Sequence, residues 1–310
     1  MASAQLRDVA VRTTQASART LTGRSVEARY RIGRPLGRGA WGVVYAARSL
    51  APAYRSHGKR NVAMKVLADA HVGDPDAIAR FTHEAFLASR FAHPNLVRVL
   101  DFGWIEAGRP YFVMERASGT TLDRVLAEMG TLPPALALDV ISGAAAGLKA
   151  LHENGVVHRD VKPSNLFFAM RAGRRPRVRL IDLGVAGVFD AGRARKLGSV
   201  NDIAQGSYGT PAYIAPEQAI GRRVDARADV YALACVAYRL LTGLEPFRGS
   251  TVTKTVHAHL FHDAPPATSL NPSLPSEVDA VLARGLEKDP SERTACPLRF
   301  AAELALALQA

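Results

Sequence analysis

The sequence predicts an α+β fold of two unequal lobes, a small antiparallel β-sheet lobe with one helix and a larger, mainly α-helical lobe. Three observations predict it. Short apolar and β-branched runs, separated by turn residues, fill the first third of the chain. One segment within that third carries apolar residues at helical spacing. After Gly119 the apolar segments become longer and helical, and 310 residues suffice for two modest cores.

The small lobe is predicted to be a five-stranded sheet with one helix. Its strands are expected at 30–36, 43–47, 62–67, 96–102 and 111–114, the first three forming an antiparallel meander. Asp74 and Pro75 supply an N-cap and a first-turn proline for the helix. Apolar residues then recur at helical spacing: Ile78, Phe81, Ala85, Ala88 and Phe91. We expect this helix to pack on the meander.

The larger lobe is predicted from three apolar helical stretches at 136–152, 228–241 and 278–286. Residues 1–28 are rich in Ser, Thr, Ala and Arg, lack hydrophobic periodicity, and are predicted to be a flexible tail. The folded domain is therefore expected at 29–306, with the small lobe at 29–117 and the larger lobe at 118–306.

The composition excludes several classes of protein. Hydrophobic residues make up 48% and charged residues 22%, as in an ordinary globular domain. Cys235 and Cys296 are too few for a disulfide framework or a zinc site, which favours a reducing cytoplasm. No apolar run approaches the roughly 20 residues of a membrane span. We therefore expect a soluble chain without membrane contact of its own, either a short cytoplasmic protein or the cytoplasmic domain of a longer membrane protein.

The net charge of +12 raises nucleic acid or an anionic surface as partners. The positive charge is diffuse, however. Its arginines also lack the interleaved aromatic residues of a platform that binds single strands. These features disfavour nucleic acid and favour a solvated basic face.

The segment from His158 to Asn165 (HRDVKPSN) carries the chemistry of phosphoryl transfer. Asp160 could accept the proton of a substrate hydroxyl, Lys162 could screen charge on the transferred group, and Asn165 could hold a magnesium ion. The alternative is a charged turn after a helix, since an eight-residue match can arise by chance. Taken with the motifs below, the segment predicts an ATP-dependent kinase.

A glycine-rich motif lies between the first two predicted strands. Gly37, Gly39 and Gly42 follow the pattern G-x-G-x-x-G, which lets backbone amides approach phosphate oxygens. Alone, this pattern is weak evidence. A dinucleotide-binding motif would open a helix, whereas Val43 and Val44 continue a strand, so that alternative is disfavoured.

Lys65 lies within an otherwise apolar strand, where its ammonium could bind nucleotide phosphates. The alternative is a lysine that snorkels at a strand edge. Glu84 is the only acidic residue between Ala77 and Phe91 and lies on the apolar stripe of the predicted helix. Because a carboxylate near a packing face requires a cation, we predict that Lys65 and Glu84 pair.

Asp182 ends a predicted strand and is followed by Leu183 and Gly184. Alone, such a tripeptide is more often a turn. Because it follows Asp160 and Asn165 by about 20 residues, Asp182 is predicted to be a second ligand for magnesium, a hard ion that prefers oxygen donors.

The ordered series GRGAWG, VAMK, Glu84, HRDVKPSN, DLG, GTPAYIAPE, Asp229 and Arg293 resembles the bacterial branch of eukaryotic-like (Hanks-type) serine/threonine protein kinases over residues 30–305. The resemblance implies the protein-kinase-like bilobal fold, with Met114 as gatekeeper and a hinge at 115–117. The catalytic residues that it implies are Asp160, Lys162, Asn165, Lys65 and Glu84. Those implied to bind ATP are Leu36, Gly37, Arg38, Gly39, Ala40, Trp41, Gly42, Val44, Ala63, Lys65, Met114, Glu115, Ala117 and Phe167. Mg²⁺, or Mn²⁺, is implied at Asn165 and Asp182.

The resemblance also implies roles outside the nucleotide site. Glu217 and Arg293 resemble a buried ion pair, and Asp229 resembles the carboxylate that braces the catalytic loop. Lys162, together with the Gly-Thr-Pro at 209–211, resembles the serine/threonine class, so the implied partners are protein substrates with Ser or Thr acceptors.

Arg159 is typical of kinases whose activation loop is ordered by phosphorylation. Ala204 and Asp202 stand where bacterial relatives often carry phosphorylated threonines, and Thr210 resembles a substrate-pocket residue. We therefore expect weak control by autophosphorylation, with Ser199 or Ser207 as fallback sites, and self-association for that reaction.

The rival hypothesis is a pseudokinase or docking module. The complete catalytic set argues against it, and Leu183 in place of the usual phenylalanine leaves metal ligation untouched.

Overall fold

The computed structural model describes residues 21–39, 41–50, 61–105, 108–183, 187–188 and 211–310. Its described residues form two compact units. The first comprises the residues up to Ala85 together with Val99–Arg116, and the second comprises Phe86–Arg98 together with Ala117–Ala310. These units differ from the predicted lobes chiefly in the assignment of Phe86–Arg98 to the second unit.

Asn95 explains why Phe86–Arg98 belongs to the second unit. Its side-chain amide donates a 2.8 Å hydrogen bond to the carbonyl oxygen of Val178, and its own carbonyl accepts the amide of Leu180 at 2.8 Å. The amide of Val97 in turn donates to the carbonyl of Leu180 at 3.0 Å. The predicted strand at 96–102 is consequently divided, and only its later part joins the first sheet.

The first unit is an antiparallel sheet of six strands in the order β1-β2-β3-β4-β6-β5. The strands are β1 Ser25–Val26, β2 Tyr30–Arg38, β3 Gly42–Ser49, β4 Asn61–Leu67, β5 Val99–Ile105 and β6 Arg109–Glu115. A 3₁₀ turn, Asp69–His71, and helix α1, Pro75–Ser89, connect β4 to β5. The predicted N-cap is confirmed, since the Asp74 carboxylate accepts the amide of Asp76 at 2.9 Å.

Strand β1 is the sixth strand, which the sequence did not predict. Ser25 and Val26 pair with Arg31 and Tyr30, and Leu21 is buried in the same core as Val26. The predicted flexible tail at 1–28 is therefore wrong for residues 21–28, because burial and backbone pairing hold them to β2. Residues 1–20 lie outside the described residues.

Strand β4 is buried on both faces, which is why its sequence is almost entirely apolar. Val62, Met64 and Val66 belong to the main core of the first unit. The alternate residues Ala63 and Lys65 lie on the opposite face by the period of two in a strand. Lys65 is thus placed in a buried position where its charge requires a partner.

The second unit is mainly helical. Its helices are α2 Leu122–Met129, α3 Pro134–His152, α4 Pro216–Ala219, α5 Ala226–Thr242, α6 Val252–Phe261, α7 Ala267–Leu270, α8 Glu277–Gly285 and α9 Pro297–Ala307. Its short strands are β7 Thr120–Thr121, β8 Val156–Val157, β9 Leu166–Arg171, β10 Arg174–Leu180 and β11 Gly187–Val188. The three predicted helices correspond to α3, α5 and α8.

Helix α3 is the one helix within the described ranges that is long and apolar enough to cross a membrane by length and composition alone. The sequence-based statement that no apolar run approaches that length is therefore wrong. Val140, Ala144 and Leu148 are fully buried, and α3 packs against α5, α9 and β10. These contacts make α3 a core helix of the second unit.

His259 predicts a pH dependence of stability. It is completely buried on α6, with Nδ1 2.9 Å from the Tyr231 hydroxyl. Burial, followed by the nearby charge of Lys288, lowers the pKa of His259 to about 3. Between about pH 6.5 and that value, the unfolded chain binds a proton that the folded chain does not, so the free energy of unfolding falls as the pH falls.

We expect urea denaturation to show a loss of about 1 kcal/mol in the free energy of unfolding between pH 7 and pH 5.5 from this group. His259→Gln, which cannot be protonated, should remove that part of the slope. His257→Gln, at an exposed position on the same helix, is the matched control. Equal slopes for the parent chain and His259→Gln would contradict the assignment.

Candidate active site

The glycine-rich segment forms a turn between two strands of the first unit. Strand β2 ends at Arg38 and β3 begins at Gly42, with Gly37 opposite Val44 and Arg38 opposite Val43. The amide of Gly39 donates to the carbonyl of Gly42 at 2.9 Å. The predicted strand-turn-strand is confirmed, and a helix-opening dinucleotide motif is excluded at this place.

The three glycines of this turn have different surroundings. A Cβ atom on Gly42 would lie 2.6 Å from the carbonyl oxygen of Val66, so this glycine permits the close packing of β3 on β4. On Gly37 a Cβ would meet no described atom within 4 Å, and on Gly39 it would only reach Gly42 at 4.0 Å. The backbone at Gly37 and Gly39 is therefore open to a ligand such as a phosphate.

The predicted pair of Lys65 and Glu84 is present in the first unit. Lys65 Nζ lies 2.8 Å from Oε1 and 3.0 Å from Oε2 of Glu84. The lysine side chain is only 9% exposed, and its ammonium lies 5.5 Å from the ring centre of Phe112. This burial rules out a snorkelling lysine, whose charge would be in water. Removal of either partner would leave an uncompensated buried charge.

Strand register shows where the other residues predicted to bind the nucleotide lie in the first unit. Val44 lies opposite Lys65, and Met114 lies opposite Ala63, so these residues share one face of the sheet. Glu115, opposite Val62, is the last residue of β6. Leu36 and Arg38 lie on β2, and Trp41 lies in the turn, where its ring contacts His71. Ala40 lies outside the described residues.

Two residues predicted to bind the nucleotide belong to the second unit. Phe167 lies on β9, opposite Arg179 and Thr121. Ala117 precedes the turn at Gly119, whose φ of 104° requires glycine and whose Cβ position is occupied by the carbonyl of Phe168.

Asp229 braces the predicted catalytic loop, which runs from β8 to β9 in the second unit. Its carboxylate accepts the backbone amides of His158 and Arg159, both at 2.8 Å, and contacts Nε2 of His152 at 2.7 Å. Burial alone would raise the pKa of Asp229, but these hydrogen bonds and the neighbouring histidines lower it. The sequence-based interpretation of Asp229 as the brace is confirmed, whereas the contact with His152 was missed.

Asp160, Lys162 and Asn165 come together within this loop. Lys162 Nζ lies 2.9 Å from Oδ1 and 2.8 Å from Oδ2 of Asp160. The side-chain nitrogen of Asn165 donates to Oδ2 of Asp160 at 2.8 Å and to its carbonyl oxygen at 2.9 Å. Because the side-chain nitrogen of Asn165 makes these hydrogen bonds, its side-chain oxygen remains available as a ligand for a metal ion.

Asp182 follows β10 and is exposed. The amide of the preceding residue, Ile181, donates to the carbonyl of Asn165 at 2.9 Å, which ties the two predicted metal ligands together through the backbone. Within the described ranges there is no group of three or more His, Cys, Asp and Glu side chains suited to a metal. Two oxygen donors are nonetheless adequate for Mg²⁺, which usually takes its other ligands from water and phosphate.

Two residues of this region have positive φ although they are not glycines. Arg159 has φ 65° and Asp182 has φ 67°. Such conformations cost of order 1–3 kcal/mol and persist where the surroundings fix them. The Arg159 carbonyl accepts the side-chain amide of Gln218 at 3.0 Å, and burial lowers the pKa of its guanidinium. Arg159 precedes the predicted base Asp160, and Asp182 is itself a predicted metal ligand.

The predicted ion pair of Glu217 and Arg293 is confirmed in the second unit. Its two N–O distances are 2.9 and 3.1 Å, and the Arg293 side chain has no exposed surface. Arg293 also donates to the carbonyl oxygens of Glu287 and Arg227 at 3.0 and 2.9 Å. The guanidinium of Arg293 and the carboxylate of Glu217 therefore both have hydrogen-bond partners in their buried positions.

Several predicted functional residues lie outside the described residues. They are Gly184, Ser199, Asp202, Ala204, Ser207, Gly209 and Thr210.

Comparison with known proteins agrees with this geometry. A family model described as "Protein kinase domain" matches residues 30–303. The chain is 38% identical over 279 residues to serine/threonine-protein kinase PknB of Mycobacterium tuberculosis, covering 87% of this chain and 42% of that protein. It is 37% identical over 280 residues to serine/threonine-protein kinase Pkn1 of Myxococcus xanthus, covering 90% and 38%.

A solved structure is also similar. The crystal structure of the PknI kinase domain of Mycobacterium tuberculosis matches with a TM-score of 0.71 at 27% identity, covering 93% of this chain and all of that one. The chain spans less than half the length of PknB and of Pkn1.

Proposed function

Because the chain belongs to the protein kinase domain family, we propose that it transfers the γ-phosphoryl group of ATP to serine and threonine hydroxyls of protein substrates in signalling. One observation carries the proposal. Asp160, Lys162 and Asn165 form a single hydrogen-bonded group on a loop that Asp229 fixes through two backbone amides. The two similar curated proteins are both called serine/threonine-protein kinases, which supports this acceptor class.

In the proposed reaction, Asp160 orients the acceptor hydroxyl and accepts its proton. The hydroxyl oxygen bonds to the γ-phosphorus as the bond to the β–γ bridging oxygen breaks, so ADP leaves with that electron pair. The Lys162 ammonium lies within hydrogen-bonding distance of Asp160 and can screen charge on the transferred group.

The first unit is proposed to bind the phosphates of ATP. The open space at Gly37 and Gly39 lets phosphate oxygens approach the backbone, and Lys65, oriented by Glu84, offers a compact positive charge. Val44, Ala63 and Met114 are proposed to contact the adenine, with Glu115 hydrogen-bonding it. The family uses ATP with a divalent metal ion. Mg²⁺, with Mn²⁺ as the substitute, is proposed to bind Asn165 and Asp182 and to neutralise phosphate charge.

The wider biology is also part of the proposal. We assign the chain to the cytoplasm, with self-association as the route to autophosphorylation at Ser199 or Ser207. The positive charge is diffuse and the arginines lack interleaved aromatic residues, so nucleic acid is disfavoured as a partner despite the net charge of +12. The pseudokinase hypothesis has no specific observation in its favour, because Lys65, Glu84, Asp160, Asn165 and Asp182 are all present.

Incubation of the chain with γ-labelled ATP and a general protein substrate tests the proposal. We expect label on the substrate with Mg²⁺ or Mn²⁺ and none with chelator. Lys65→Met should lose most of the transfer, whereas Lys254→Met, at an exposed position, should retain it. ATP binding without phosphoryl transfer, in the presence of either Mg²⁺ or Mn²⁺, would instead support a pseudokinase.

A further inference from the structure

Trp41 anchors the glycine-rich turn through its side chain. The indole ring stacks on the imidazole of His71, with ring centres 4.9 Å apart and an interplanar angle of 28°. The guanidinium of Arg80 lies 5.3 Å from the centre of the same indole. The Trp41 carbonyl accepts the amide of Ala68 at 3.0 Å. One tryptophan thus joins the turn, the 3₁₀ segment and helix α1, all within the first unit.

The two partners of Trp41 are themselves held in place. His71 ends the 3₁₀ turn Asp69–His71, and Arg109 fixes that turn by an ion pair with Asp69 and by a 2.6 Å hydrogen bond to the carbonyl of Leu67. The indole therefore stacks on a segment that the sheet keeps in position.

Arg80 connects the same indole to the buried ion pair. Arg80 and Glu84 are four residues apart on α1, so they lie on one side of the helix. Glu84 is the residue that binds Lys65. A contact that fixes Arg80 on Trp41 consequently fixes the distance between the glycine-rich turn and the part of α1 that orients Lys65.

We propose that Trp41, His71 and Arg80 form a clamp that positions the glycine-rich turn for nucleotide phosphates. The inference rests on the proposed function, since it assigns the turn to ATP. Gly37 and Gly39 have no side chains with which to anchor the turn, and the space at their Cβ positions is open. Without the clamp, ordering of the turn would have to occur upon ATP binding, and this entropy cost would weaken the affinity. His71 and Arg80 are positioning residues, because they act through Trp41.

The first test is spectroscopic and needs no nucleotide. The chain has two tryptophans, so Trp104→Phe leaves Trp41 as the only tryptophan that emits. Trp104 lies on β5, outside the clamp. In this background, Arg80→Gln and His71→Ala should each make Trp41 more accessible to acrylamide. The matched control is Arg90→Gln, which removes a similar arginine contact, 6.0 Å from the ring of Phe86. Quenching in Arg80→Gln and His71→Ala that equals the control would overturn the clamp.

The second test separates positioning from general destabilisation. Arg80→Gln should raise KM for ATP about 3- to 10-fold, the range expected for loss of one cation–π contact, with a smaller change in kcat. Arg80→Lys, which keeps the cation, should recover most of the affinity. An unchanged KM in both Arg80→Gln and His71→Ala would refute the positioning role.

The two proposals fail in different ways. If the parent chain transfers no phosphoryl group, the proposed function is wrong, while the quenching comparison still decides whether the clamp exists. A titration of Trp41 fluorescence with ATP in the Trp104→Phe background then gives a dissociation constant in place of KM. Equal dissociation constants with and without Arg80→Gln would refute the positioning role.

Discussion

Replacement of Asp160 by asparagine is expected to lower kcat for phosphoryl transfer about 10²- to 10⁴-fold, the usual contribution of a positioned general base. The amide has nearly the shape of the carboxylate and can still accept one hydrogen bond from Lys162 or Asn165, but it cannot take up the proton of the acceptor hydroxyl. Thermal unfolding should therefore change far less than the rate, because Asp160 is partly exposed. Steady-state kinetics with a peptide that contains serine or threonine measures the effect.

The matched control is Asp139→Asn on helix α3. Asp139 contributes an ion pair with the exposed side chain of Arg175 at 3.7 Å and lies away from the catalytic loop in the sequence and in its contacts. Its removal should leave kcat within about twofold, as for an exposed ion pair. If Asp160→Asn retained activity comparable to that of Asp139→Asn, Asp160 would not be the base.

Replacement of Arg293 by methionine is expected to give the largest loss of stability, about 3–5 kcal/mol in the free energy of unfolding. The substitution leaves the carboxylate of Glu217 buried without its cation and deprives the carbonyl oxygens of Glu287 and Arg227 of their donor. Denaturant titration measures the change, provided that the dependence of the unfolding free energy on denaturant concentration keeps the same slope in both chains.

An exposed ion pair of the same unit supplies the comparison. Arg299 lies 2.8 Å from Glu303 on helix α9, but its side chain is 72% exposed. Arg299→Met should cost at most about 0.5 kcal/mol, because water and salt screen such a pair. The double replacement Arg293→Met with Glu217→Leu should recover part of the loss by removing the orphaned charge. Equal losses in the free energy of unfolding for Arg293→Met and Arg299→Met would contradict the claim that burial makes the pair of Arg293 and Glu217 more important for stability.

The parts of the site that sequence could predict are those with a local pattern. A lysine in an apolar strand and a single acid on an apolar helical stripe predicted the contact of Lys65 with Glu84, because burial leaves each charge one solution. The cap at Asp74 and the turn at Gly37–Gly42 were predictable because a few adjacent residues determine the backbone conformation there.

The parts that sequence could not predict depend on contacts between distant residues. His152 contacts Asp229 across 77 positions, and Gln218 donates to Arg159 across 59. Neither distance leaves a periodic trace in the sequence. Strand β1 has two residues and hence no alternation to detect. The positive φ of Arg159 and Asp182 was equally hidden, since the usual signal for such a backbone is glycine.

Phosphoamino-acid analysis tests the central claim most directly. A protein substrate is incubated with γ-labelled ATP, Mg²⁺ and either the parent chain or Asp160→Asn, and the labelled residue is then identified. We predict label on serine and threonine with the parent chain and almost none with Asp160→Asn. Label confined to tyrosine, or equal label with both chains, would contradict the assignment of this chain as a serine/threonine kinase that acts through Asp160.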